Sequence, residues 1–309
     1  MDEATIVVTT TADELDSTLA NASVADFGEL GDISLREANA LSKAGDTIQF
    51  DGTDFTGGAT SLIRLFCELE IGKLVEIDGS TATDVVISGD ANSDGIALAG
   101  TFITDAAASD AGDLMDDNAR VFNITTNGAT FVQLTITGGN AIGLGGGGVR
   151  VASGTNVTFE GVTVAGNSAS FKGRGDLNQG VVTFSNSTVF GNKSGSYGGD
   201  LTILGTMTLT NTTISGNTPD GERGDIHNNG SGTITNSTIS RNFAEVSGGS
   251  ISQNGAAITL TISLWWEIPS LVCSREVHSS SLLLMTSVTM RLVDQIPWMP
   301  GCSSCFCQP

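Results

Sequence analysis

Thr163-Val164-Ala165-Gly166-Asn167, Thr188-Val189-Phe190-Gly191-Asn192, Thr213-Ile214-Ser215-Gly216-Asn217 and Thr238-Ile239-Ser240-Arg241-Asn242 repeat one phrase, and the spacing from each asparagine to the next is the same throughout. An earlier copy, Thr135-Ile136-Thr137-Gly138-Gly139-Asn140, lies upstream with one residue inserted. A second phrase recurs as Gly175-Asp176-Leu177, Gly199-Asp200-Leu201, Gly224-Asp225-Ile226 and Gly249-Ser250-Ile251. A third recurs as Val182-Thr183-Phe184-Ser185-Asn186, Met207-Thr208-Leu209-Thr210-Asn211 and Thr233-Ile234-Thr235-Asn236. In each phrase apolar residues alternate with Thr, Ser or Asn, the period of a half-buried strand. Gly and Asn between the phrases provide the left-handed backbone that abrupt corners need.

Segments this short make no stable sheet alone. Stacked coil on coil at about 4.8 Å they place like over like, so that Val164, Val189, Ile214 and Ile239 become an interior row. Asn167, Asn192, Asn217 and Asn242 become a structural ladder at a corner, where side-chain amides can bond one another and the backbone. The expected fold is all-β, a right-handed single-stranded parallel β-helix or solenoid. A leucine-rich or propeller repeat fits worse, because the repeat contains no helical pattern and its period is too short for a four-stranded blade.

A solenoid has open ends that need covering. Ser34-Leu35-Arg36-Glu37 has the form of a capping box, Leu35, Ala38 and Leu41 share one face of the short capping helix it would start, and Gly45 is a stop signal. The chain thus divides into an N-terminal cap over 1–50 with a helix at about 35–44, irregular early coils with an acidic loop over 51–130, regular coils over 131–261, and a tail over 262–309. The tail is anomalous, with all three tryptophans, four of five cysteines, four of five prolines and a single glycine, Gly301. It reads as a shifted reading frame or a disordered appendage, and a last coil left uncovered would invite edge-to-edge self-association.

Ile33-Ser34-Leu35-Arg36-Glu37-Ala38, followed by Ala44-Gly45-Asp46-Thr47-Ile48-Gln49-Phe50, resembles the CSLREA segment of secreted or surface-exposed bacterial β-helix proteins, with Ile33 where the family motif has Cys. The repeats are similar to those of polymorphic outer membrane proteins and autotransporter-like adhesins. Gly248-Gly249-Ser250-Ile251 matches their Gly-Gly-x-Ile phrase, while their Phe-x-x-Asn phrase survives only loosely. The likeness spans residues 5–261, and no autotransporter barrel or calcium-binding nonapeptide tail accompanies it. It implies a secreted or cell-surface adhesive or structural role, with glycans and the surfaces of host or neighbouring cells as partners, rather than a defined reaction.

Charge narrows the partners. Thirteen Lys+Arg against 34 Asp+Glu leave a formal charge of −21, the wrong sign for a phosphate backbone, so no nucleic-acid partner is expected. No apolar run reaches membrane-spanning length, and the stretch from Met1 to Leu30 lacks the basic and apolar regions of an export signal. Asp90-Ala91-Asn92-Ser93-Asp94-Gly95 matches the first half of a calcium loop, although position twelve is Thr101 and not Glu. Asp90, Asn92 and Asp94 are therefore the candidate metal ligands, and calcium is the one cofactor the sequence offers. A plain solvated acidic loop is the competing reading.

Asp176, Asp200 and Asp225 recur on consecutive coils and would lie about 5 Å apart in a column. Crowded carboxylates of this kind can serve acid catalysis on polysaccharides, yet each Asp follows a Gly where it can simply cap a turn. Cys67, the one cysteine of the β-helical region, reads as a buried apolar filler. Two functions remain: a non-enzymatic extracellular scaffold or adhesin presenting an acidic, Thr/Ser/Asn-rich surface, and a polysaccharide lyase or glycoside hydrolase acting on acidic glycans. Such an enzyme would set Asp or Glu beside Lys or Arg on adjoining coils, whereas a scaffold would show repetitive neutral faces.

Overall fold

The computed structural model describes residues 3–13, 32–90, 120–141, 146–169, 176–194, 201–219, 226–240, 242, 251–253, 258–263 and 285–289. Among them the chain is nearly all β, with one α-helix and four sheets of ten, seven, four and seven strands, each sheet joining successive coils. One coil shows the plan. Val181–Ser185 lies in the first sheet, Thr188–Phe190 in the second, Lys193–Ser194 in the third and Leu201–Ile203 in the fourth. Thr206–Thr210 then re-enters the first sheet, where it pairs in parallel with Val181–Ser185, Thr183 opposite Thr208 and Phe184 opposite Leu209. The stacking expected of a parallel β-solenoid is therefore present.

Because strand positions alternate between faces, the register sorts side chains into columns. On the first sheet Ile48, Ile77, Phe131, Phe159, Phe184, Leu209, Ile234 and Leu260 stand in one inward row, all buried. The rings of Phe131, Phe159 and Phe184 stack at centroid separations of 5.0 and 4.7 Å and interplanar angles of 21° and 15°. The coil rise imposes this near-parallel arrangement where free aromatic pairs often prefer an edge contact. On the second sheet Ile63, Ile87, Ile136, Val164, Val189, Ile214 and Ile239 form the matching row.

Each corner has its own backbone solution. Between the first and second sheets Gln133, Asn186, Asn211 and Asn236 take left-handed conformations with φ of 47°, 52°, 51° and 48°, which Asn tolerates because its short amide can bond locally. Their backbone N–H groups donate to the next coil, as Asn186 N does to Thr210 O at 3.1 Å and Asn211 N to Thr235 O at 3.1 Å. Between the fourth and first sheets the backbones themselves touch. A Cβ on Gly205 would collide with the carbonyl of Gly180, and one on Gly230 with the carbonyl of Gly205.

The helix, α1 (Leu35–Leu41), is shorter than the expected 35–44. Its start follows the capping box: Glu37 N donates to Ser34 Oγ at 3.1 Å and Ser34 N to Glu37 Oε2 at 2.9 Å. Its end comes at Ser42, whose backbone turns extended. Lys73 holds it there, its ammonium donating to the carbonyls of Asn39, Ala40 and Ser42 at 2.8, 2.7 and 2.7 Å, so carbonyls that a further turn would satisfy already have a cation. Leu35 and Ala38 are buried and Leu41 packs against the same core. Beyond the regular coils, Met285–Thr289 adds a parallel strand to Ile258–Ser263, with a register slip at Leu260/Thr261, where the composition also changes. No helix among the described residues is long and apolar enough to cross a membrane.

Phe184→Ala removes the end ring of the aromatic stack and is expected to destabilise the fold by about 3–5 kcal/mol, read as a lower urea midpoint. Gly205→Ala, a change of one methyl, should also lower that midpoint, and an unchanged value would contradict the backbone contact at this corner.

Candidate functional site

The asparagines of the second corner are brought together as one hydrogen-bonded column. Asn192 Oδ1 accepts from the backbone N of Asn167 at 3.0 Å and from its Nδ2 at 3.1 Å, while Asn192 Nδ2 donates to Val164 O at 3.1 Å. Asn217 Oδ1 accepts from Asn192 N at 3.0 Å, and Asn242 Oδ1 from Asn217 N at 3.2 Å. Asn167, Asn192 and Asn217 are buried, so this column satisfies the interior and offers nothing to a ligand. At its upper end Gly139 N donates to Asn167 Oδ1 at 2.9 Å. Asn140 stands one position further on, opposite Ser168, whose Oγ donates to Asn140 Oδ1 at 2.8 Å. A Cβ at residue 139 would strike the carbonyl of Gly147, which is why the inserted residue of this coil is a glycine.

The acidic candidates fall differently. Asp176 pairs with Leu201, and Leu201 with Ile226. Asp176 therefore occupies the register position of those apolar residues, one step later than Asp200 and Asp225 on their own coils; the latter two lie outside the described residues. The alignment by residue type, Asp over Asp, differs from the alignment by hydrogen bonding. Of the calcium-loop candidates, Asp90 is described, its backbone N donating to Ser88 Oγ at 3.1 Å, while Asn92 and Asp94 lie outside the described residues. Among the described residues no three His, Cys, Asp or Glu side chains group as metal ligands. Cys67 is exposed, correcting the expectation of burial. It sits in the bend between Leu62–Arg64 and Leu69–Ile71, where its carbonyl accepts from Arg36 Nη2 at 2.9 Å.

Polar groups from separate coils meet on the fourth sheet, a cluster that no local motif announces. Glu70, Asn123 and Arg150 are opposite one another on consecutive strands. Arg150 donates to Asn123 Oδ1 at 2.8 Å and to Gln179 Oε1 at 3.2 Å. Nearby, Arg120 is buried and pairs with Glu68 at 2.6 Å while donating from Nε to Gly146 O at 2.8 Å. A carboxylate and a guanidinium from adjoining coils do therefore meet, but both are committed to each other. The arrangement can hold a polar ligand through amide and guanidinium groups; it places no unpaired acid–base couple in reach. A cleft of about 410 Å³ lies at the first corner, between Asp84, Gln133, Thr135 and Thr163, and Asp84 is its one titratable lining residue.

Electrostatics otherwise serve the cap. Asp13 takes Arg36 in a two-point pair at 2.6 and 2.8 Å and accepts from Phe66 N at 2.8 Å. Asp46 accepts from the backbone N–H groups of Lys43 and Ala4 at 2.6 and 3.0 Å, which hold its carboxyl below the ordinary value of 3.8.

What faces outward on the first sheet is unusual for its uniformity. Thr130, Thr158, Thr183, Thr208, Thr233 and Thr259 stand opposite one another in a single unbroken rank. A parallel rank two residues along contains Glu160, Ser185, Thr210, Thr235 and Thr261. Compared with protein-family models, with curated protein sequences and with solved structures, the chain finds no match.

Asn192→Ala should cost about 1–3 kcal/mol, because it strands the buried N–H of Asn167; a urea midpoint equal to that of the parent would show the column to be dispensable. A carboxyl with a lowered folded-state pKa contributes stability above its unfolded value and loses it as the pH falls through the folded one. Asp46→Asn should therefore be less stable than the parent at neutral pH, with the difference shrinking on acidification below the ordinary 3.8, in thermal melts across that range.

Proposed function

We propose that the chain is a non-enzymatic extracellular or cell-surface scaffold with an adhesive role. The observation that carries this reading is the pair of outward ranks on the first sheet, where five consecutive coils present Thr, Ser and one Glu at equivalent positions. Repetition of this kind multiplies one weak contact many times along a rigid axis, which is how avidity arises without a deep pocket. The likeness of Ile33–Phe50 to the CSLREA segment, and of the repeats to polymorphic outer membrane proteins and autotransporter-like adhesins, supports placement outside the cell. A net charge of −21 favours solubility and repels polyanions unless a cation such as calcium bridges them.

The second reading, a lyase or hydrolase of acidic glycans, draws on the Glu68, Arg120, Asn123 and Arg150 cluster of the fourth sheet. Its pairing works against it, since a general acid or base needs a free proton site within reach of substrate. The purified chain, incubated with polygalacturonate and alginate with calcium present, is expected to release neither unsaturated nor reducing ends. Release of either would replace the scaffold reading with the enzymatic one, while retention on immobilised glycans or whole cells without product is the outcome expected of an adhesin.

A further inference from the structure

We propose that the threonine face of the first sheet binds ice, holding the ordered water of a crystal surface. Charge is absent where the face is most regular. The chain carries 34 acidic residues, yet from Val181 to Thr261 the outward positions described on this sheet are Val181, Thr183, Ser185, Thr206, Thr208, Thr210, Ser231, Thr233, Thr235, Thr259 and Thr261, none of them ionisable. Other faces do not share this character. On the second sheet the outward rank of Thr163, Thr188, Thr213 and Thr238 is flanked by one that includes Phe190. On the fourth, Arg150 and Glu70 intrude, and Thr202 is wholly buried.

The spacing of the face is set by the backbone. Neighbouring coils repeat at about 4.8 Å and alternate residues of one strand at about 6.7 Å, so the hydroxyls form a two-dimensional net. The coil repeat lies close to the oxygen repeat along the a axis of hexagonal ice, and the within-strand repeat falls somewhat short of the repeat along its c axis. Among the described residues no hydrogen bond joins one hydroxyl of the central rank to the next, although that separation lets a pair meet where the side chains turn toward each other. Each therefore needs a water, and waters bridging the rank inherit the period of the coils. In the rank on the opposite side of the central one, Val181, Thr206 and Ser231, two hydroxyls do meet, those of Thr206 and Ser231 at 3.1 Å.

Threonine suits such a surface because its χ1 is stiff. Methyl and hydroxyl are held in place before water arrives, and little entropy is lost in ordering them. The inward apolar row beneath this face and the Asn column at the second corner keep successive coils in register, with no bulge from Ala129 to Leu260. A polysaccharide occupant fits less well, since these outward positions include no aromatic ring to stack on a sugar.

This proposal does not rest on the adhesive reading, and the two can fail separately. The test is partition of the full chain into a slowly growing ice hemisphere, with thermal hysteresis measured alongside. The parent is expected to concentrate in the ice relative to a non-binding tracer protein and to shape ice crystals. Thr183→Tyr combined with Thr208→Tyr, far-UV circular dichroism unchanged, should fall to the level of the tracer. Thr213→Tyr, on the second sheet, should behave as the parent. Where that double variant fails to fold, Thr183→Lys combined with Thr208→Lys makes the same test, because a charge disrupts the net as a ring does. Exclusion of the parent from ice, or undiminished partition of the folded double variant, overturns the proposal. So does exclusion from ice together with retention on a polysaccharide that the same substitutions abolish, which would assign the face to glycans instead.

Discussion

Each strand of a regular coil donates and accepts hydrogen bonds with the equivalent strand of the next coil, in parallel, and this one constraint orders everything else in the molecule. A parallel ladder admits no local partner, so every coil depends on its neighbours for stability. Columns of like side chains follow directly. A slip of one residue would turn Phe184 and Leu209 outward and Thr183 and Thr208 inward. The Asn167 to Asn242 amides oppose that slip, because their oxygens accept backbone N–H groups that burial would otherwise leave unpaired. The apolar rows supply the driving force for collapse; the amide column and the glycine corner select one register from those that collapse alone would allow.

Where the repeat is irregular, further chemistry is added to the ladder. Besides the backbone ladder, long-range side-chain contacts tie the cap and the first coils together: Asp13 to Arg36, Lys73 to the end of α1, Glu68 to Arg120. These are charge-assisted contacts, stronger individually than neutral ones, and they supplement parallel ladders that are short and irregular here. The same division separates the surfaces. Uniform ranks arise on the first sheet because the repeat is strict there, and a mixed polar cluster arises on the fourth sheet because the coils through Glu70, Asn123 and Arg150 differ from one another.

Much of this was legible in the residues. The capping box at Ser34–Glu37, the interior row through Val164 and Ile239, and the stacking of Asn167, Asn192, Asn217 and Asn242 all depend on local pattern or on equal spacing. The misreadings have physical causes. Residue type aligns Asp176 with Asp200, but counting nine positions from the preceding corner asparagine aligns it with Leu201, and the backbone follows the count. Asn186, Asn211 and Asn236 are left-handed corner residues, a role distinct from that of the buried asparagines. Cys67 looked apolar enough to be buried, yet its place is set by a bend tied to Arg36. Asn178 and Asn228, buried in register with Val151 and Ile203, carried no signal of burial at all.

The amino-acid sequence by itself determined the coil: its period, its alternation of inward and outward residues, and the residues able to turn its corners, since these follow from strand geometry and backbone freedom over a few positions. Only the tertiary structure decided which outward residues become neighbours. Register between coils is a property of hydrogen bonds that span a whole turn of the solenoid, and it is this register that gathers six scattered threonines into a rank and sets Arg150 between Asn123 and Gln179.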